Sequence, residues 1–170
     1  MIIKKNILKT LTDLDRKYNQ SLISPNPNDS IFFSKLAVLE YCGWIEHCFD
    51  EIVLRSVQSK LKTQRFKDVL RERVVGNNHG FEYKKHFRPM MLQAIGIVKM
   101  EALEFELDVS GQLPVLVSEL DNVKTERDSA AHTYSENLLI TYSSPSVTIQ
   151  RFKRIFPIVK HTYSYIVNKI

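Results

Sequence analysis

The sequence predicts an all-α fold, an irregular bundle of about five to six helices. Three observations carry that prediction. Apolar residues recur at three- and four-residue spacing along most of the chain, and no stretch keeps the two-residue alternation of a half-buried strand. The breaks between periodic runs fall on clusters of Pro, Gly, Ser and Asn. With 170 residues, 44% hydrophobic and 25% charged, the chain can bury an ordinary core without disulfides or metals. The expected organisation is a single domain over 1–170, with a helix and loop over 1–29 and the core over 30–170.

The first helix is expected over 3–18, where Ile3, Ile7, Leu8, Leu11, Leu14 and Tyr18 share a face, and the stretch from Ser24 to Ser30, with Pro25 and Pro27, ends it. Asp29 or Ser30 can cap a second, central helix running to about Leu61. Its broad apolar face includes Phe32, Phe33, Leu36, Leu39, Ile45, Phe49, Ile52 and Val53. A short, weakly amphipathic helix through Phe66, Val69 and Leu70 should end at Gly76-Asn77-Asn78-His79-Gly80, a strong turn signal. Helical spacing resumes from Phe81 to Leu107, with an interruption expected at Pro89 and a stop at Ser110-Gly111. Pro114 suits the first turn of the next helix, whose stripe is Leu113, Leu116, Val117, Leu120 and Val123. Ser144-Pro145-Ser146 opens a last helix carrying Phe152, Ile155, Phe156, Val159, Tyr163 and Ile166, with Pro157 as a kink point.

Several function classes are disfavoured. The N-terminal segment lacks the apolar run of a secretion signal and no segment approaches a membrane span of roughly 20 apolar residues, so the expected location is cytoplasmic, without membrane contact. Cys42 and Cys48 lie about 240° apart on one helix and cannot bridge each other. No Cys/His/Asp cluster has metal-ligand spacing, and the glycines are too scattered for a phosphate-cradling loop, so neither a metal nor a cofactor is expected. His47, His79, His86 and His161 are isolated and read as surface or packing residues. Charge is concentrated: from Lys60 to Arg88 nine basic residues face three acidic ones, a local net of +6 in a chain of net +5. That is the electrostatic footprint of a phosphate-backbone partner, with Lys62, Arg65, Arg71, Arg73, Lys84 and Lys85 as candidate RNA contacts; a solvated helix face has the same composition.

The stripe Leu113, Leu116, Leu120, Val123 next reaches Arg127, then Ala131 and Tyr134, so an arginine stands where a core residue is due. One reading is structural: Arg127 closes the stripe, paired with Glu46 or Asp50 of the second helix. The other rests on the segment Arg127-Asp128-Ser129-Ala130-Ala131-His132-Thr133-Tyr134. An Arg, a polar residue, and a His five positions after the Arg on a late helix of an all-α domain resembles the motif of the HEPN superfamily. With Tyr134 it is similar to the Arg-x4-His-x-Tyr pattern of HEPN toxins paired with nucleotidyltransferase antitoxins. The helix bearing Tyr41-Cys42-Gly43-Trp44-Ile45-Glu46 resembles RiboL-PSP-type HEPN proteins. Asp128 departs from the commoner Asn at that position.

The resemblance implies a HEPN-like bundle and a metal-independent endoribonuclease, a toxin or defence effector. It implies Arg127 and His132 as catalytic residues, Asp128 and Tyr134 as supporting ones, and Tyr134 as the acceptor of adenylylation by an antitoxin. It equally admits a non-catalytic domain that binds RNA, nucleotide or a partner protein. The residue types suit the chemistry: His132 can pass a proton near neutral pH, and Arg127 offers a permanently charged planar fork to phosphoryl oxygens. Glu46 and Asp50, four apart on the second helix, are candidates to orient Arg127. On an ideal helix Arg127 and His132 differ by about 140° in direction and about 7.5 Å in height. Either the helix ends between them or two chains contribute to one cleft, so a homodimer with the motif at its interface is expected.

Overall fold

The structure, a computed structural model, describes residues 4–23, 29–132 and 142–169, with His132 described by its backbone only. Among these residues every regular element is helical: α1 (Lys5–Leu22), α2 (Asp29–Val57), α3 (Gln64–Asp68), the π-helix π1 (Val69–Val75), a second π-helix π2 (Tyr83–Phe87), α4 (Arg88–Ile95), α5 (Ile97–Val109), α6 (Gln112–His132) and α7 (Pro145–Lys169). The all-α class expected from the periodicity holds. Nine segments replace the expected five to six because the run over 62–75 divides in two and the run over 81–107 in three. No helix of the described residues is long and apolar enough to cross a membrane.

One of the two divisions of the run over 81–107 falls beside Pro89, as expected, where π2 gives way to α4, and the other falls at Gly96. Pro89 sits in the first turn of α4, where a missing N–H costs nothing. Gly96 has φ 81° and ψ 168°, a backbone region that only glycine occupies without strain, and it separates α4 from α5. An added Cβ there meets no atom within 4 Å, so Gly96→Ala isolates the backbone term: a loss of about 1–3 kcal/mol in urea unfolding is expected. The central helix ends at Val57, short of Leu61, and the chain passes into turns in which Gln58 N–H donates to the Leu54 carbonyl and Lys60 N–H to that of Val57. Pro157 lies inside α7, which keeps its helical assignment through it.

The described residues group into two compact units, one formed by residues 45–120 and 157–169 and the other by residues 4–23, 29–44, 121–132 and 142–156. In the first unit, Phe49, Phe87, Met90, Met91, Met100, Leu103 and Leu107 are fully buried, with the Phe49 and Phe87 rings 4.3 Å apart. Arg88 grips Glu104 of α5 with Nε to Oε1 at 2.8 Å and NH2 to Oε2 at 3.0 Å, and the Tyr83 hydroxyl donates to the same carboxylate. The turn after π1 closes tightly: Gly80 has φ 142°, and a Cβ there would lie 2.6 Å from the His86 ring. His86 is thus a packing histidine. The α5 helix buries Met100, Leu103 and Leu107, yet Ile97, Val98, Phe105 and Val109 are each at least 70% exposed.

In the second unit, α1 buries Ile7, Leu11 and Leu14, as its spacing predicts. Trp44 of α2 stacks on Tyr41 and meets Phe152 of α7 edge-on at 4.9 Å. Cys42, and Cys48 of the first unit, are buried and form no disulfide, and burial, then the Glu51 charge, pushes the Cys48 thiol up to about 12. A thiol so placed is not a nucleophile at neutral pH.

Candidate functional site

Helix α6 carries the motif in its last turns. Leu116, Leu120 and Val123 are buried, and the buried face then continues through Ala130, whereas Ala131 is exposed. The expected partner of Arg127 on the stripe was Ala131; Ala130 takes that place because it lies about 20° from the direction of Val123, against about 80° for Ala131. Arg127 falls near the centre of the same face, but its side chain is 36% exposed. A guanidinium therefore emerges from the buried face of this helix, between Val123 and Ala130.

Two anchors hold this turn. Asp128 accepts from Lys124 Nζ at 3.1 Å and from Arg127 NH1 at 3.2 Å. The Lys124 hydrogen bond, opposed by desolvation and reinforced by Arg127, holds the Asp128 carboxyl below its ordinary range. Asp128 is thus a fixed anion at neutral pH and can orient Arg127 but not exchange protons. On the neighbouring position, Glu126 Oε1 accepts from Arg151 NH2 of α7 at 2.8 Å and from Ser143 Oγ at 2.7 Å. Burial pushes the Glu126 carboxyl up, but the hydrogen bonds from Arg151 and Ser143 outweigh it and keep the carboxyl below its usual range. The Glu126–Arg151 pair escaped the sequence reading because its partners lie 25 residues apart and neither is set off by composition.

The α6 helix runs without a break to His132. The alternative in which the helix ends between Arg127 and His132 is removed. Tyr134 lies outside the described residues. Glu46 and Asp50 fall in the other unit, both half-buried. Burial, then the Glu46 charge, pushes Asp50 up to about 6, with His47 and His79 pulling the other way.

A carboxyl raised in the folded chain adds stability that is fully present below its unfolded value of about 3.9 and is lost as pH rises through the folded value. Asp50→Asn removes that dependence. The variant is expected to match wild type near pH 4 and to exceed it at pH 7.5 by about 1 kcal/mol, after allowing for solvent screening of a half-buried group. Urea unfolding at the two pH values checks this.

The six candidate RNA contacts, Lys62, Arg65, Arg71, Arg73, Lys84 and Lys85, are all exposed. They divide between two places in the chain: Lys62, Arg65, Arg71 and Arg73 lie before or on α3 and π1, whereas Lys84 and Lys85 lie on π2, Lys85 within 3.9 Å of Glu82. Among the described residues, no three His, Cys, Asp or Glu side chains are grouped to hold a metal ion. No protein-family model, curated protein or solved structure matches this chain.

Proposed function

We propose that this chain is a HEPN-type, metal-independent endoribonuclease that cleaves RNA at a cleft shared by two copies of the chain. The observation that carries the reading is the emergence of Arg127 from the buried stripe of a helix that continues unbroken to His132. A charged, partly desolvated guanidinium oriented by a fixed carboxylate is preorganised to hold phosphoryl oxygens. In the reaction the ribose 2′-oxygen attacks its own phosphorus and the bond from phosphorus to the 5′-oxygen breaks. His132 takes the 2′-hydroxyl proton, and a proton from solvent goes to the leaving 5′-oxygen. The products are a 2′,3′-cyclic phosphate and a 5′-hydroxyl. The separation of about 140° between Arg127 and His132 on one helix favours drawing the set from two chains. An antitoxin of the nucleotidyltransferase type would act on Tyr134, where the phosphate of an added adenylyl group competes with substrate phosphate.

The test is incubation of pure protein with mixed RNA in EDTA. Fragments ending in 2′,3′-cyclic phosphate are expected. A wild type no more active than His132→Ala, with RNA binding retained in both, would instead make the domain a non-catalytic binder.

A further inference from the structure

An open groove of about 690 Å³ lies wholly within the first unit, lined by residues from the end of α2, from α3 and π1, and from the last turns of α7. Its volume is in the range of ligand clefts. Three cations from three elements line it: Arg55, Lys67 and Arg71. Arg55 is within 3.5 Å of Glu51, whereas Lys67 and Arg71 make no ion pair with any described residue. Lys67 and Arg71, four positions apart across the junction of α3 and π1, both line it. Gln58 and Tyr163 add neutral hydrogen-bonding groups.

The backbone supplies a second observation. Arg71 belongs to a π-helix, closed by the Gly76 N–H to the Arg71 carbonyl at 2.8 Å. Such wide turns are rare and occur frequently at functional sites. The lining carboxylate Glu51 offsets Arg55 alone, so the groove keeps a net positive charge beside neutral polar groups, a fit for phosphate oxygens. We propose that this groove binds the phosphate backbone of single-stranded RNA, as a contact of the substrate distinct from the Arg127 motif. The proposal rests on the reading of the chain as RNA-directed. It assigns Arg71 a binding role together with Lys67 and Arg55, residues that sequence composition did not single out.

The experiment measures anisotropy of a fluorescein-labelled 12-nucleotide oligouridylate with the protein in a His132→Ala background, so that binding is read without cleavage. Lys67→Glu/Arg71→Glu is expected to raise Kd by more than about tenfold at 50 mM salt and to lower the slope of log Kd against log salt by about 1.4, the release of two phosphate contacts. Lys67→Gln/Arg71→Gln should give a smaller change of the same sign, and circular dichroism verifies that each variant is folded. Lys9→Glu/Lys17→Glu, an equal charge change on exposed residues of α1, is expected to alter Kd by less than about threefold. Equal weakening by the two Glu pairs, or none by either, overturns the groove. Cleavage by the chain with native His132, scored separately, tells its failure from that of the ribonuclease reading.

Discussion

Alanine at His132 is expected to lower the rate of the proposed RNA cleavage by about 10²- to 10⁴-fold, the usual worth of a positioned proton-transfer group. The loss should fall on kcat more than on KM, because the imidazole acts on protons that move only in the transition state. Arg127→Ala should be comparably damaging, and Arg127→Lys should recover only part of the activity, since an ammonium keeps the charge but loses the two-pronged donor geometry. Asp128→Asn retains an acceptor for Arg127 and is expected to be the mildest of the four. Single-turnover cleavage of a defined RNA, with circular dichroism as the check on folding, measures the series.

Arg151→Ala should produce the largest stability loss of any single charge change in the second unit. The guanidinium is 18% exposed and its partner carboxylate 23%, so the variant strands Glu126 in a partly desolvated position with the Ser143 hydroxyl still donating to it. Among the described residues Glu126 Oε2 is already buried without a hydrogen-bond partner. A cost of about 2–3 kcal/mol follows, below that of a fully buried pair because both groups retain some water. The pH dependence changes as well. With its folded value depressed, Glu126 stabilises wild type above its unfolded value of about 4.3, and that contribution is lost as pH falls through the folded one. Without Arg151, burial dominates and the dependence should flatten or reverse. Glu126→Gln keeps hydrogen-bonding capacity without the charge and should cost less. Urea unfolding at about pH 3 and pH 7.5, on either side of the unfolded carboxyl value, separates these outcomes.

The long helices were legible because each buries one face: Ile7, Leu11 and Leu14 in α1, and Phe152, Ile155, Val159 and Ile166 in α7, fall where helical spacing puts them. The turn from Gly76 to Gly80 was legible for a different reason, its density of residues that tolerate unusual backbone angles. The break between α4 and α5 was missed because proline is the louder signal, although a lone glycine at positive φ also divides a helix. The π-helical turns have no compositional mark, since an i→i+5 ladder differs from an i→i+4 one only in which carbonyl is taken. The position of Arg127 on its helix could be read from the stripe, but only part of its anchoring could. Lys124 and Asp128 are four apart and discoverable by spacing, whereas Glu126 and Arg151 meet only through tertiary packing.

The central claim is that one active site draws on two chains, and mixing inactive variants tests it most directly. Arg127→Ala and His132→Ala protein, each inactive alone, are unfolded together, refolded at equal concentration and assayed on RNA in EDTA. Random pairing places about half of the dimers in the mixed form, and a shared cleft predicts that cleavage reappears in the mixture, with 2′,3′-cyclic phosphate ends. A mixture as inactive as either variant, beside a wild type that cleaves, would contradict it.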